Sequence, residues 1–285
     1  MSDITQNRRA SPPALLSGGA AARRRLTPAI AIIGLALLWP ALTGLLSIYR
    51  TGTYAHCLFA AALWATLIIQ HALYDAKDPN PARAWPLVLS VLSASLAFAA
   101  ARAEIGLAAH LFVWAFCVCM IFHSFGAENK STLCLAGFGL FAVPAGETLL
   151  PTLQAVAAQG STPLINFIGV PVTRTGLILE TPALSFVVDE GCAGLRYVVS
   201  ATALASFIAI KRTWPLRHWI GFVSLAVAAG LAANIIRIST VVFVSQNNRA
   251  IADNHAFINS IAFVALLLFV AFGLSRLFTS DFKRR

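Results

Sequence analysis

The octapeptide Asp189-Glu190-Gly191-Cys192-Ala193-Gly194-Leu195-Arg196 sets a cysteine among two glycines and three charged side chains at the mouth of an apolar run. A cysteine at a helix N-terminus sits among unpaired backbone N–H groups and a positive partial charge. Both favour thiolate over thiol, and both can hold an oxyanion. Gly191 and Gly194 leave room for a substrate backbone to approach. Glu190 and Arg196 flank the thiol with opposite charges.

A second group lies in Asn234-Ile235-Ile236-Arg237-Ile238, inside the next apolar run. Arg237 falls roughly 10 Å below the end of that run at 1.5 Å per residue, where a guanidinium costs up to about 3 kcal/mol unless paired or hydrated. Asn234, at i−3, shares its face. A third candidate, His255, opens the last apolar run, with Asn259 at i+4 placed to orient its ring; Asp253 and Asn254 read as helix caps.

Each residue has a plainer reading. Cys192 would be a packing thiol, Arg237 a snorkelling cation and His255 a polar anchor at a membrane edge. Three consecutive apolar runs nevertheless deliver all three to one boundary, and packing accidents would scatter them. A thiol, an imidazole and a fixed cation are the parts of an acyl-transfer site. The thiol attacks a peptide carbonyl, a thioester forms, and another nucleophile resolves it. Arginine, always charged, can hold an oxyanion or carboxylate but cannot act as the base.

The elements that position these groups follow from composition. Of the 285 residues, 58% are hydrophobic and 11% charged, against roughly 45–50% and about 25% in soluble domains. The apolar residues come in runs long enough to cross about 30 Å of hydrocarbon. Spans are expected at about 28–48, 54–74, 85–101, 105–122, 131–149, 193–210, 218–244 and 256–278. The fold class is therefore an all-α polytopic membrane protein of about eight transmembrane helices.

A net charge of +10 would suggest nucleic acid in a soluble protein, but the basic residues sit at the ends of apolar runs. Arg8, Arg9, Arg23, Lys130, Lys211 and Arg284 fall with most of the others on one side. That bias follows the positive-inside rule and places both termini in the cytoplasm. The lipid bilayer, not nucleic acid, is the implied partner. The organisation expected is a basic cytoplasmic tail over 1–27 followed by an uncleaved first helix, a single transmembrane catalytic domain over 28–278, and a basic cytoplasmic tail over 279–285.

One connection is long. The loop at about 150–191 falls on the outer side and is too apolar for disorder. Thr152 to Ile168 reads as an interfacial helix broken near Gly160 and Pro163. Val170 to Glu180 and Leu184 to Asp189, separated at Thr181 and Pro182, read as a small β-hairpin that leads into Glu190.

The remaining candidates are weaker. Cys57, Cys117, Cys119 and Cys134 read as small apolar fillers. Orientation puts His71, His123 and His218 at inner ends and His56, His110 and His255 at outer ends, so only the latter three can reach Cys192. No His/Asp/Glu set has metal-ligand spacing such as HExxH, and neither metal nor cofactor is implied.

At Glu190-Gly191-Cys192-Ala193-Gly194-Leu195-Arg196-Tyr197 and Asn234-Ile235-Ile236-Arg237-Ile238 the chain resembles the exosortase/archaeosortase family of multi-pass, transpeptidase-like cysteine enzymes. The likeness covers roughly Leu177 to Asn259 and is less distinctive around His255. Serine is common in the family where Ala193 stands, a departure that leaves the proposed triad in place. The resemblance implies a Cys192 nucleophile, an Arg237 that stabilises or positions, and a His255 acid/base. It also implies a membrane-anchored substrate protein carrying a C-terminal sorting signal: a motif such as Pro-Glu-Pro, a transmembrane helix and a basic cluster. It further implies a bacterial inner-membrane setting linked to exopolysaccharide production, and an acceptor nucleophile that the sequence does not name.

Three rival functions share these residues. A transporter would be marked by buried Arg and Gly-interrupted helices, yet no inverted repeat is visible. A hydrolytic intramembrane cysteine protease would use water as acceptor. A noncatalytic assembly factor for polysaccharide export would not need Cys192.

Overall fold

The computed structural model describes residues 15–50, 54–75, 84–126, 130–247, 256–274 and 276. Nine α-helices and one small sheet make up the described chain. Helix α1 spans Leu15–Tyr49, α2 Ala55–Gln70 with a π-helical turn to Asp75, α3 Ala84–Arg102 and α4 Gly106–Phe125. Helix α5, Lys130–Phe138, tightens into a 3-10 turn at Gly139–Ala142. After a bend come a 3-10 turn at Glu147–Leu149 and α6, Leu150–Phe167. Beyond the sheet lie α7, Leu195–Lys211, α8, Leu216–Asn247, and α9, Ala256–Leu268, which passes into a π-helix at Phe269–Leu274.

The chain is a polytopic membrane protein, and the described residues do not confirm the expected count of eight spans. Among the described residues six helices are long and apolar enough to cross a bilayer, seven if one bent pair counts as a span. The bent pair, Lys130–Ala142 and Glu147–Phe167 at 65°, replaces the single fifth span expected at 131–149. Pro144 and Gly146, the latter at φ +122°, sit at the break. Proline cannot continue the hydrogen-bond ladder, and a φ that positive suits only glycine. Of the expected last span, the apolar stretch among the described residues is Ser260–Leu274.

Helix α1 begins at Leu15 and includes the Arg23–Arg25 run. The expected break near Gly160 and Pro163 is corrected. Helix α6 runs unbroken through Gly160 and Pro163 and packs on α8, burying Ala157, Ala158, Ser161 and Ile165. A Cβ on Gly160 would come within 2.5 Å of Ile235 Cδ1, so the missing side chain lets the two helices approach. Tertiary packing there overrides the breaking tendency of glycine.

The expected hairpin is a three-stranded antiparallel sheet, β1 Thr173–Thr175, β2 Ile178–Glu180 and β3 Ser185–Val187. Thr175 pairs with Ile178, and Leu179 with both Arg174 and Phe186. Gly176, at φ +65°, supplies the left-handed position that a two-residue hairpin turn needs. Leu179 is fully buried and joins Val170, Val172 and Val188 against α6 and α8.

Lipid-exposed side chains on the helices are large and apolar: Ile32, Trp39, Val88 and Phe272 are all more than 60% exposed. A surface of that kind is stable only against hydrocarbon. Inside, small residues bring α7 and α8 together. Ala201, Ala205 and Ala226 are buried there, and a Cβ on Gly230 would lie 3.0 Å from the Val198 Cα and 3.1 Å from the Tyr197 carbonyl oxygen. Close backbone approach at small residues is the usual basis of helix packing in lipid.

Candidate active site

The turn carrying Cys192 is built just before α7 rather than in its first turn. Glu190–Cys192 forms a 3-10 turn capped by Asp189, whose carboxylate accepts the Cys192 N–H at 2.9 Å. The same N–H also meets the Asp189 carbonyl oxygen at 3.0 Å. The Cys192 amide is therefore occupied and is no oxyanion donor, which corrects the helix-terminus expectation for that group. Gly194 then adopts φ +87° and opens α7.

Helix α8 holds the turn from the other side. Asn234, 2% exposed, donates its side-chain amide to the Cys192 carbonyl oxygen at 2.9 Å. It can approach because Gly194 has no side chain: a Cβ there would stand 2.7 Å from Asn234 Nδ2. The side-chain Oδ1 of Asn234 is buried without a hydrogen-bond partner among the described residues.

Arg237 is one helical turn further along and is 4% exposed. Its guanidinium stands over the buried Tyr197 ring, 5.6 Å from the centroid, and also interacts with the Cys192 side chain. Snorkelling toward headgroups would leave it exposed, so that reading does not describe this arginine. A cavity of about 260 Å³ joins Cys192, Arg237 and Asp189, with Leu179, Val188, Ile238 and Val242 among its apolar walls. The Asp189 carboxylate interacts with the sulfur as well. The thiol thus lies half-buried between a cation and an anion.

The remaining sequence candidates fall as follows. Glu190 and Gly191 are exposed on the turn. Arg196 does not line the cavity; its guanidinium lies 5.6 Å from the Tyr197 centroid and 5.8 Å from that of Phe263 on α9. His255 lies outside the described residues, one position before α9, and Asn259 lies within α9. Among the described residues no histidine lines the Cys192 cavity. His110, 5% exposed, lines a separate cavity with Tyr54 and Glu147, and His56 is buried near Tyr54. All five cysteines are free of disulfides; Cys57 and Cys119 are buried, as fillers should be.

Two contributors carry no sequence signal of their own. Asp189 looked like one more charge in the octapeptide, and its capping geometry depends on an extended backbone at φ −75°, ψ −179°. Tyr197 reads as a core aromatic; only the fold shows that Arg196, Arg237 and Phe263 all meet its ring. Among the described residues no group of three His, Cys, Asp or Glu could hold a metal.

A family model described as transmembrane exosortase matches residues 48–272, which includes the whole of this site. No curated protein and no solved structure matches the chain.

Proposed function

The chain belongs to the transmembrane exosortase family, and on that premise we propose that it is a cysteine transpeptidase or protease that removes the C-terminal sorting signal of secreted proteins. The observation that supports this reading most directly is the shared cavity of Cys192 and Arg237, a nucleophile and a fixed cation with apolar walls. Exclusion of water strengthens the attraction between guanidinium and any anion formed beside it.

In the proposed reaction the Cys192 thiolate attacks the carbonyl carbon of the scissile peptide bond. Arg237 stabilises the negative charge that develops on the carbonyl oxygen. The C–N bond breaks, His255 gives a proton to the departing amine, and a thioester remains on Cys192. An acceptor then attacks the thioester carbonyl, His255 takes the acceptor's proton, and the thiolate leaves. Glu190, Gly191, Gly194 and Asn234 shape the turn, while Arg196 and Asn259 belong to the supporting set toward α9.

The substrate follows from the family: a membrane-anchored protein ending in a motif such as Pro-Glu-Pro, a helix and a basic cluster. Its helix would lie beside the spans, with the basic end in the cytoplasm and the scissile bond at the outer face of a bacterial inner membrane. Both termini of the enzyme would be cytoplasmic.

The test is removal of a reporter's C-terminal helix in cells expressing Cys192→Ala, Arg237→Ala or His255→Ala at normal membrane levels. All three should block it. Continued processing with Cys192→Ala would refute the reading and favour a noncatalytic assembly role. Mass spectrometry of the mature C-terminus separates the acceptors: a free carboxylate means hydrolysis, an added group means transfer.

A further inference from the structure

The small sheet ends in an edge that runs straight into the Cys192 turn. Val188 N–H donates to the Leu177 carbonyl and Thr181 N–H to the Leu184 carbonyl, each at 2.9 Å, and Leu179 stands opposite Phe186. Antiparallel partners alternate between bonded and non-bonded pairs. The bonded pairs of β2 and β3 are therefore 177 with 188, 179 with 186, and 181 with 184. It follows that the backbone groups of Ser185 and Val187 point away from β2.

Among the described residues these groups form a short, mostly unused ladder. The Val187 carbonyl already accepts the Asp189 N–H at 3.0 Å. The Val187 N–H, the Ser185 carbonyl and the Ser185 N–H have no partner among the described residues. Val187 is 63% exposed, an apolar side chain beside an open strand edge. Phe186, Val187 and Val188 also line the cavity that holds Cys192 and Arg237.

We propose that β3 is the docking strand for the substrate: an extended segment preceding the scissile bond adds to it as a fourth, parallel strand. The inference rests on the acyl-transfer reading above and specifies how the peptide is held. Strand addition to a free edge is a general mode of peptide recognition, in which main-chain bonds give affinity and pockets read alternate side chains. The parallel direction follows from which groups are unused. A residue opposite Phe186 gives its N–H to the Ser185 carbonyl and takes the Val187 N–H on its own carbonyl, while the residue two before it accepts the Ser185 N–H. An antiparallel strand would need the Val187 carbonyl to accept a second donor.

Parallel addition also has the right sense. The peptide then runs with β3 toward Asp189 and Cys192, carrying its carboxyl-terminal side to the thiol. One substrate N–H does the donating, and its two neighbours point the other way. Residues without an N–H are tolerated at those neighbouring positions, as proline is on the outward side of an edge strand. The side chains directed into the cavity should be apolar, given Leu179, Val188, Ile238 and Val242.

The experiment is a backbone N-methylation scan, one amide at a time over the segment before the scissile bond, using the unaltered full-length enzyme in nanodiscs. One position should lose at least tenfold in kcat/KM while both neighbours stay within threefold. A flat or smoothly graded profile overturns the proposal. On the enzyme side, Val187→Pro deletes the edge donor and should fall at least tenfold below Val187→Ala, which keeps it. Equal turnover of these two variants also overturns it. The parent reading fails separately: a flat scan with an inactive Cys192→Ala enzyme removes only the docking strand, and an active Cys192→Ala enzyme removes both.

Discussion

The side chain of Asn234 reaches across from α8 to donate to the main-chain carbonyl of Cys192 at 2.9 Å. A tether of this kind fixes where the sulfur sits relative to Arg237, which lies one turn along the same helix as the donor. Asn234→Leu keeps the approximate volume and deletes the bond. The expected cost is about 1 kcal/mol in stability, with kcat reduced well beyond that and KM little changed. Thermal unfolding in detergent and turnover on a reporter substrate measure the two effects; wild-type kcat in this variant would show that the tether does not position the thiol.

Gly194→Ala strains the same joint. The backbone there is at φ +87°, a conformation costing an L-residue about 1–2 kcal/mol. The new Cβ would also stand 2.7 Å from Asn234 Nδ2. Pairing it with Asn234→Ala should recover most of the steric part, the residue-234 Cβ remaining 3.0 Å away, and leave the backbone part. A double-mutant cycle on melting temperature reads the coupling, and additive losses would contradict the contact.

Asp189 is testable by separating its cap from its charge. Asp189→Asn retains a capping oxygen for the Cys192 N–H, and it removes the negative charge beside the sulfur. Less opposition to thiolate should speed alkylation of Cys192 at neutral pH severalfold. Asp189→Ala loses cap and charge together and should destabilise the turn by about 1 kcal/mol. The measurement is iodoacetamide labelling of variants in which the other cysteines are replaced; slower labelling in Asp189→Asn would run against the charge argument.

Tyr197 supports Arg237 through its ring, since the guanidinium lies 5.6 Å from the centroid. Such a contact contributes about 0.5–2 kcal/mol. Tyr197→Phe keeps the ring and should retain most activity. Tyr197→Leu should lose it by roughly the tenfold that such an energy implies. Kinetics of both variants decide the matter, and equal losses would assign the effect to the hydroxyl instead.

The parts of the site that could be read from the chain are those the bilayer makes expensive. Arg237 and Asn234 stand out because polar groups inside an apolar run need a reason, and Cys192 because it sits among glycines at a helix mouth. Most of the spans were legible for the same cause, but not the fifth. There Pro144 and Gly146 turn an apolar run into two arms, and hydropathy averages across the break. Pro163 and Gly160 argued for a broken α6, yet packing against Ile235 keeps it whole. The third strand was hidden because Thr173 to Glu180 reads as one β-rich stretch until Gly176 folds it back. Asp189 and Tyr197 act through partners distant in sequence or through backbone angles, neither of which a single sequence displays.

Because Asn234 and Arg237 lie on the helix after the one that Cys192 precedes, the thiol is synthesised before its side-chain tether and its cation. A nascent chain ending at Lys211 would carry α7 with an untethered turn and no cation beside the sulfur. The order of biogenesis thus delays assembly of the site until α8 has entered the membrane and met α7 at Gly230. On the proposed reading, a half-inserted protein would lack both the tether and the cation beside its thiol.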